Sequence, residues 1–328
     1  DRLASDFKNN LAEDGSRYGT QKVLVKMTTG TYKGKEKQAI NPSGTLFGAD
    51  CKVGARIIVI VNKSGTNAGF TVYSQDRTMA IYGFVLIFAA VVCAIGGKKG
   101  VYAILSLVFA FACIIGIMFP MMYRGISPIV LTIIVAVLTT IVTLGLLGGY
   151  SSKTVSAILG TAIGVVIAAV AAMAFGKAAG ITGYNVSDIE ALNYVGQNTK
   201  IKIGELLFAG IIISALGAVM DVGMSIASTI QEIYETDKTL SMKRLFVSGI
   251  NVGRDMMGTM TNTLIFAYVG GAMTTLVINY AYDLSYRQLA NSYVIGIEIM
   301  QGLSGSLGVV LTVPITALIA SFLAVRKK

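Results

Sequence analysis

Histidine is absent from this chain of 328 residues, and so is tryptophan. Without imidazole side chains, the chain lacks the usual general base, the Ser-His and Cys-His nucleophile pairs, and the His ligands of zinc and haem. Its three cysteines, Cys51, Cys93 and Cys113, are an odd number without a CxxC spacing, so a disulfide framework is not expected. We therefore predict that the chain is not an enzyme and carries no cofactor.

Two motifs that mark large enzyme classes are also missing. The chain has no GxxxxGK[ST] loop for nucleotide phosphates and no GxSxG nucleophile elbow. These absences exclude an ATP-driven pump with its own P-loop and argue against a serine hydrolase. An enzyme that holds a metal with acidic side chains alone remains open as a third alternative, and the sequence does not identify a metal.

Charged residues are scarce, at 13%, whereas hydrophobic residues make up 54% of the chain. This balance lies outside the range of soluble domains, and apolar runs near 20 residues indicate a polytopic α-helical membrane protein. We predict about seven spans, at residues 79–96, 101–118, 128–147, 154–175, 205–228 and 256–279, with a last run that ends near residue 325. In the fourth span, four small residues spaced four positions apart predict a face for close helix packing: Gly160, Gly164, Ala168 and Ala172.

The last apolar run is too long for one straight crossing. Residues 289–325 would form a helix of about 55 Å, against a hydrocarbon core of about 30 Å. Three glycines and two serines within residues 302–308 predict a glycine-rich break there. The segment before the break is then either an interfacial helix or one arm of a re-entrant helix, as in many transporters.

The distribution of positive charge predicts the orientation of the chain. Ten Lys and Arg residues fall in alternate loops and at the C-terminus, and the positive-inside rule places them in the cytoplasm. We therefore expect a multi-pass protein of the cell membrane, with a cytoplasmic C-terminus and an extracytoplasmic N-terminal region.

Residues 1–77 differ in composition from the rest of the chain. They contain 12 basic and seven acidic residues, a net charge of +5 from 12 minus 7. Short β-rich runs at residues 23–28, 35–40, 56–62 and 70–74 alternate with turn-forming clusters. We predict a basic soluble β domain at 1–77, all-β and barrel-like, followed by a transmembrane helical domain at 78–328. We expect no nucleic-acid partner, since Tyr32 alone is weak support for base stacking.

Asp221 lies in a stretch that is otherwise almost purely apolar or small, from residue 204 to residue 230. Small and polar residues three or four positions apart place it on one side of a helix, here named the Asp221 stripe: Gly210, Ser214, Gly217, Asp221, Ser225, Ser228 and Glu232. Lipid tails do not solvate a charge, so we expect this stripe to be buried against partner helices or to line a watery cavity.

Two further polar groups accompany the Asp221 stripe. The Asp255 stripe, at helical spacing in the following span, comprises Asn251, Asp255, Thr259 and Asn262. Glu298 and Gln301 precede the glycine-rich segment, one turn apart. Their oxygen atoms suit protons, hard cations or an amine-bearing solute. We predict an ion or substrate site from Asp221, Ser225, Asp255, Asn262, Glu298 and Gln301, with Arg254 as counter-charge.

Two segments carry a resemblance to a known family. They are DVGMSIAS at residues 221–228 and GRDMMGTMTNTL at residues 253–264. In these segments the chain resembles the YibE/F-like family of bacterial multi-pass membrane proteins, and the resemblance extends to the YKGK turn at residues 32–35. It implies an integral membrane protein and highlights Asp221, Arg254, Asp255 and Asn262 as motif residues, without assigning them roles.

Two classes of function rank ahead of the metal-holding enzyme. The first is a secondary transporter or channel for a small ion or polar solute, coupled to protons or cations through Asp221. The second is a non-transporting assembly or sensory protein, in which the outer β domain binds a partner and the polar stripes hold helices together. In both cases the partners include the lipid bilayer, and a homo-oligomer or a partner membrane protein is expected.

Overall fold

A computed structural model of the chain describes residues 19–43, 48–49, 51–64, 67–186 and 188–326. Its internal contacts divide the chain into two compact units, Asp1–Val91 and Val92–Lys328. The first unit contains a β-sheet and the beginning of the first long helix, and the second contains a helical bundle.

The β-sheet has four strands, β1 (Gly19–Lys26), β2 (Glu36–Ser43), β3 (Ile57–Ser64) and β4 (Asn67–Gln75). These strands confirm the four predicted β-rich runs to within a few residues. Their order is β1-β2-β4-β3, with antiparallel β1–β2 and β3–β4 pairs and a parallel β2–β4 pair. The predicted barrel-like closure is wrong, because β1 and β3 remain as the two edges of an open sheet.

A small apolar core and one buried amide network hold the sheet together. Ala39, Phe70 and Val72 are buried, and the Tyr32 ring packs edge-on against Phe70 with centroids 5.3 Å apart. Tyr32 therefore belongs to the core of this domain. The side chain of Asn41, fully buried in β2, donates to Gln21 Oε1 at 2.9 Å and to the carbonyl of Ala49 at 2.6 Å, which fixes the loop after β2 to the sheet.

The remainder of the described chain is mainly helical. The longer helices are α1 (Thr78–Cys113), α3 (Pro128–Gly148), α4 (Ser152–Ala179), α6 (Leu206–Thr236), α7 (Met242–Gly271) and α10 (Tyr293–Arg326). A π-helical turn (Ile114–Met118), a 3-10 turn (Ile203–Glu205) and the shorter helices α2 (Phe119–Tyr123), α5 (Ile189–Asn198), α8 (Met273–Ala281) and α9 (Tyr286–Ala290) connect them.

Five helical runs among the described residues are long and apolar enough to cross a membrane. The number is six if α7 and α8, which meet at an angle of 59°, form one bent span. The predicted seven spans are not reached in this count, because residues 78–123 form one helical run of 46 residues. Within that run, Gly97 has non-helical φ and ψ angles of 54° and −132°.

Small residues let α10 approach its neighbours closely. Thr316 and Thr312 of α10 lie directly over Gly160 and Gly164 of α4, where an added Cβ would overlap their hydroxyl oxygens. The predicted packing role of this glycine face is thus confirmed. The helices α4, α6, α7 and α10 form the core, which consists of branched aliphatic side chains such as Val219, Ile226 and Val313.

The predicted break at residues 302–308 is wrong, because α10 continues through this segment from Tyr293 to Arg326. The glycines serve packing instead: a Cβ on Gly308 would lie 2.9 Å from Ala168 Cβ, and one on Gly305 would lie 3.4 Å from Ala215 Cβ. A break would expose unpaired backbone groups to apolar surroundings, so continuous helical hydrogen bonding is the more stable arrangement.

Candidate functional site

Asp221 lies at the midpoint of α6, 15 residues from Leu206 and 15 from Thr236. The Asp221 stripe to which it belongs is turned away from the bundle core: Gly210, Ser214, Gly217, Asp221 and Glu232 are exposed, and Ser225 and Ser228 are half-buried. The predicted burial of this stripe is therefore wrong for a single chain.

The opposite side of α6 explains this orientation. Its branched residues, among them Ile212, Val219, Val222, Ile226 and Ile230, are completely buried against α4, α7 and α10. The small residues of α4 and α10 leave room for large aliphatic side chains, which pack there at high density. The smaller and polar side of α6 consequently faces outward.

Asp221 has no hydrogen-bond or ion-pair partner among the residues that the structure describes. The groups that normally offset a charge inside a membrane protein are a paired cation or a set of hydrogen-bond donors, and the described residues supply neither to Asp221. The carboxylate is thus free to meet a proton, a cation or a donor from outside this chain.

The Asp255 stripe of α7 is exposed along its whole length, at Asn251, Asp255, Thr259 and Asn262. The buried side of the helix is formed by Gly249 and Gly253, which pack against Ile230 and Val313. Arg254 is exposed, and within the described part of the chain it forms no ion pair. The predicted internal pairing of Arg254 with Asp221 therefore does not form in a single chain.

Two contacts fix the register of the antiparallel helices α6 and α7. They are a hydrogen bond of 2.7 Å from the Tyr268 hydroxyl to Ser214 Oγ, and the contact of Gly253 with Ile226. Interpolation between them places Asp221 level with residues 258–261, and Ser225 level with Arg254. The two polar stripes therefore lie at matching heights, both outward, and do not meet inside the core.

A cleft of about 320 Å³ lies between α7, α8 and α10. Glu298 and Tyr268 are its ionisable lining residues, and the others are apolar or glycine, such as Ile265, Leu276 and Leu303. Glu298 is half-buried, five residues from the start of α10. Gln301 is also half-buried but does not line this cleft.

Tyr268 connects the cleft to the Asp221 stripe. Its ring lines the cleft beside Glu298, and its hydroxyl donates to Ser214, which precedes Asp221 by two helical turns, or about 10 Å. Our sequence reasoning did not select Tyr268. The available signal was that it is the sole tyrosine of α7 and could partner a hydroxyl of the neighbouring stripe.

The structure thus brings the predicted residues together only in part. Asp221, Asp255 and Asn262 share one outward surface with Arg254, whereas Glu298 belongs to the cleft and joins them through Tyr268 and Ser214. Among the described residues, no group of three or more cysteine or carboxylate side chains is close enough to hold a metal ion.

Comparison with known proteins gives one match. Residues 84–326, most of the chain, match the model of the family described as YibE/F-like protein. The matched range begins within α1, so it does not include the β domain, to which we had expected the resemblance to extend. Neither the curated proteins nor the solved structures give a significant match. The chain belongs to the YibE/F-like family.

Proposed function

We propose that this chain is a membrane transport protein, either a secondary transporter or a channel, for a small cation or a polar solute. The observation that supports this function best is the carboxylate of Asp221, which has no partner among the described residues and lies at the midpoint of a helix with an apolar, buried opposite side. A charge at that depth is costly to keep, and such residues commonly bind the transported species or a coupling proton.

The proposed path follows the polar groups in order of height. The cleft with Glu298 is the entry site, Tyr268 and Ser214 form the connection, and Asp221 is the central site. Asn262 lies level with the segment between Ser214 and Asp221, and Ser225 and Asp255 continue the polar surface beyond Asp221 toward the C-terminal end of α6. Carboxylate, hydroxyl and amide oxygens suit protons and hard cations.

The proposed topology has seven spans in the cell membrane. A single run of 46 residues would be about 69 Å long, more than twice the hydrocarbon core. The non-helical Gly97, together with the contact of Gly100 with the backbone of Val92, favours a reversal of the chain and two spans in this run. Counting α7 and α8 as one bent span then gives seven, with the β domain outside and the C-terminus in the cytoplasm.

The central test is Asp221→Asn, which removes the charge and leaves the size of the side chain nearly unchanged. Purified protein in proteoliposomes is given an imposed Na⁺, K⁺ or pH gradient, and a trapped pH-sensitive dye reports proton movement. We expect the wild type to show ion-dependent flux and Asp221→Asn to lose at least about 90% of it, since one carboxylate provides the central site.

Glu232→Gln is the matched control. It makes the same chemical change on the same exposed stripe, but near the end of α6, where water reaches the side chain. Its flux should equal that of the wild type. Equal flux in Asp221→Asn and the wild type would remove Asp221 from the transport mechanism, and no flux above empty liposomes for any gradient would count against transport itself.

A non-transporting assembly or sensory protein is the second candidate. The outward orientation of both polar stripes favours it, because an exposed polar surface within a membrane is suited to contact with another protein. In that case Asp221→Asn should change complex formation or stability, and no solute should move in the wild type.

A further inference from the structure

We propose that a second copy of this chain covers the outward polar surface of α6 and α7. This shared polar surface is defined as the Asp221 stripe and the Asp255 stripe together with Arg254 and Gly258. The inference does not depend on transport, because it concerns how a bilayer accommodates these side chains, whatever they do.

The first argument is the chemistry of lipid. Asp221 lies at the midpoint of α6, and Arg254 and Asp255 lie about one to two helical turns from its level. A charged side chain at the centre of a membrane helix costs about 2.5–3.5 kcal/mol or more, so such groups face protein or water. In a single chain, all three are exposed on the outer side of the bundle.

The second argument comes from the glycines. Inside the bundle, a Cβ on Gly164, Gly249 or Gly253 would collide with a neighbouring helix. In contrast, a Cβ on Gly210, Gly217 or Gly258 of the shared polar surface would meet nothing within 4 Å. Small residues in membrane helices permit close helix contact, and on this surface the contacting helix is not part of the same chain.

The third argument identifies the occupant as an identical chain. Arg254 and Asp255 are adjacent, so they lie at nearly the same height in the membrane. A two-fold axis along the membrane normal preserves height and places Arg254 opposite Asp255 of the partner subunit, and the reverse pair forms by symmetry. One surface thereby supplies both members of two ion pairs, which a surface of a single charge sign could not do.

The test uses two charge reversals, Arg254→Asp and Asp255→Arg. Each variant alone would place four like charges at the dimer interface, and we expect the association constant to fall about tenfold or more. When the two variants are co-expressed with different tags, acidic and basic surfaces should pair, so heterodimers should form at the wild-type level. The readout is single-molecule photobleaching in lipid vesicles, together with co-purification of the two tags.

Gly217→Leu provides an independent test of the contact, with Gly116→Leu as its control. Both glycines are exposed with open space around them, but Gly116 lies on the π-helical turn between the exposed Ile115 and Ile117 and is not part of the shared polar surface. Gly217→Leu should reduce the dimer fraction and Gly116→Leu should not. Circular dichroism of each variant checks that the helices are retained.

Three results would overturn the proposal. They are a monomeric wild type in vesicles, single charge reversals that dimerise as well as the wild type, and a mixture of the two reversed variants that does not pair although the wild type does. Each is distinct from a failure of the transport hypothesis, which is measured by flux and not by association state.

Discussion

Replacement of Gly164 by alanine should destabilise the helical bundle. Gly164 lies at the crossing of α4 with α6 and α10, where the new Cβ would overlap Thr312 Oγ1 and lie 2.8 Å from Val219 Cγ1. The Thr312 hydroxyl donates to the carbonyl of Gly308 at 2.7 Å, so turning it away from the new methyl group would break that hydrogen bond. If the Thr312 hydroxyl keeps its position, α4 and α10 must move apart to make room for the new methyl group.

The magnitude follows from three contributions. Overpacking of a tight core costs about 1–3 kcal/mol, a lost hydrogen bond costs about 0.5–1.5 kcal/mol, and the higher helix propensity of alanine returns about 1 kcal/mol. The free energy of unfolding should therefore fall by about 0.5–3.5 kcal/mol. Because Gly145→Ala gains only the propensity contribution, with no atom within 4 Å of its Cβ, it should be neutral or slightly stabilising.

The assay is equilibrium unfolding by SDS in mixed micelles, followed by circular dichroism. The double variant Gly164→Ala with Thr312→Ala removes the closest overlap, so it should recover part of the lost stability. Equal midpoints for Gly164→Ala and Gly145→Ala would refute the close approach of α4 and α10 at this glycine.

Two further predictions concern parts of the chain outside the bundle core. Asn41→Ala should lower the stability of the β domain by about 2–3 kcal/mol, because it leaves the buried Gln21 amide oxygen and the backbone groups of half-buried Ala49 without their partner. Hydrogen exchange of the strand amides measures this change, and the exposed Asn62→Ala should show none. Hydrogen bonds from the side chain and the backbone of Thr239 hold the pKa of Asp237 below its ordinary value. The Asp237 carboxylate therefore contributes its full stabilisation at pH values above the ordinary pKa, and this stabilisation is lost as the pH falls through the lowered pKa. Thr239→Val should raise the pKa of Asp237 toward its ordinary value, as measured by carboxyl ¹³C NMR, and unchanged titration would contradict this cause.

Local patterns in the sequence predicted the secondary structure well. The β-rich composition of residues 56–62 and 70–74, bounded by turn-forming clusters, indicated β3 and β4, because strand propensity and turn signals are local in sequence. The small residues from Gly160 to Ala172 likewise indicated the packing face of α4, which the structure confirms. Both inferences required only residues that belong to one strand or one helix and its neighbours in sequence.

The orientation of α6 could not be obtained in this way. Small and polar residues in a membrane helix face protein, but the sequence does not say whether that protein is the same chain or another one. Which side of α6 is buried depends on whether the neighbouring helices leave room for Val219 and Ile226, and that room is set by the small residues of α4 and α10. For the same reason, the hydrogen bond between Ser214 and Tyr268, 54 residues apart, was not predicted.

The predicted break in α10 failed for a related reason. Glycine and serine within residues 302–308 weaken a helix in water, where backbone groups can turn to solvent. In the bundle the same residues are mostly buried, so their backbone groups have no water to bond with and keep their helical hydrogen bonds. Composition therefore indicated flexibility where the packed chain has a regular helix.

The bend between α7 and α8 has a mechanical consequence for the cleft. Ala272 separates the two helices and lines the cleft, as do Val269 on one side of it and Leu276 on the other, while Glu298 is on α10. The wall of the cleft therefore includes residues from both sides of the bend. A rotation of α8 about Ala272 would move one half of that wall relative to the other, and it would change the access of water to Glu298.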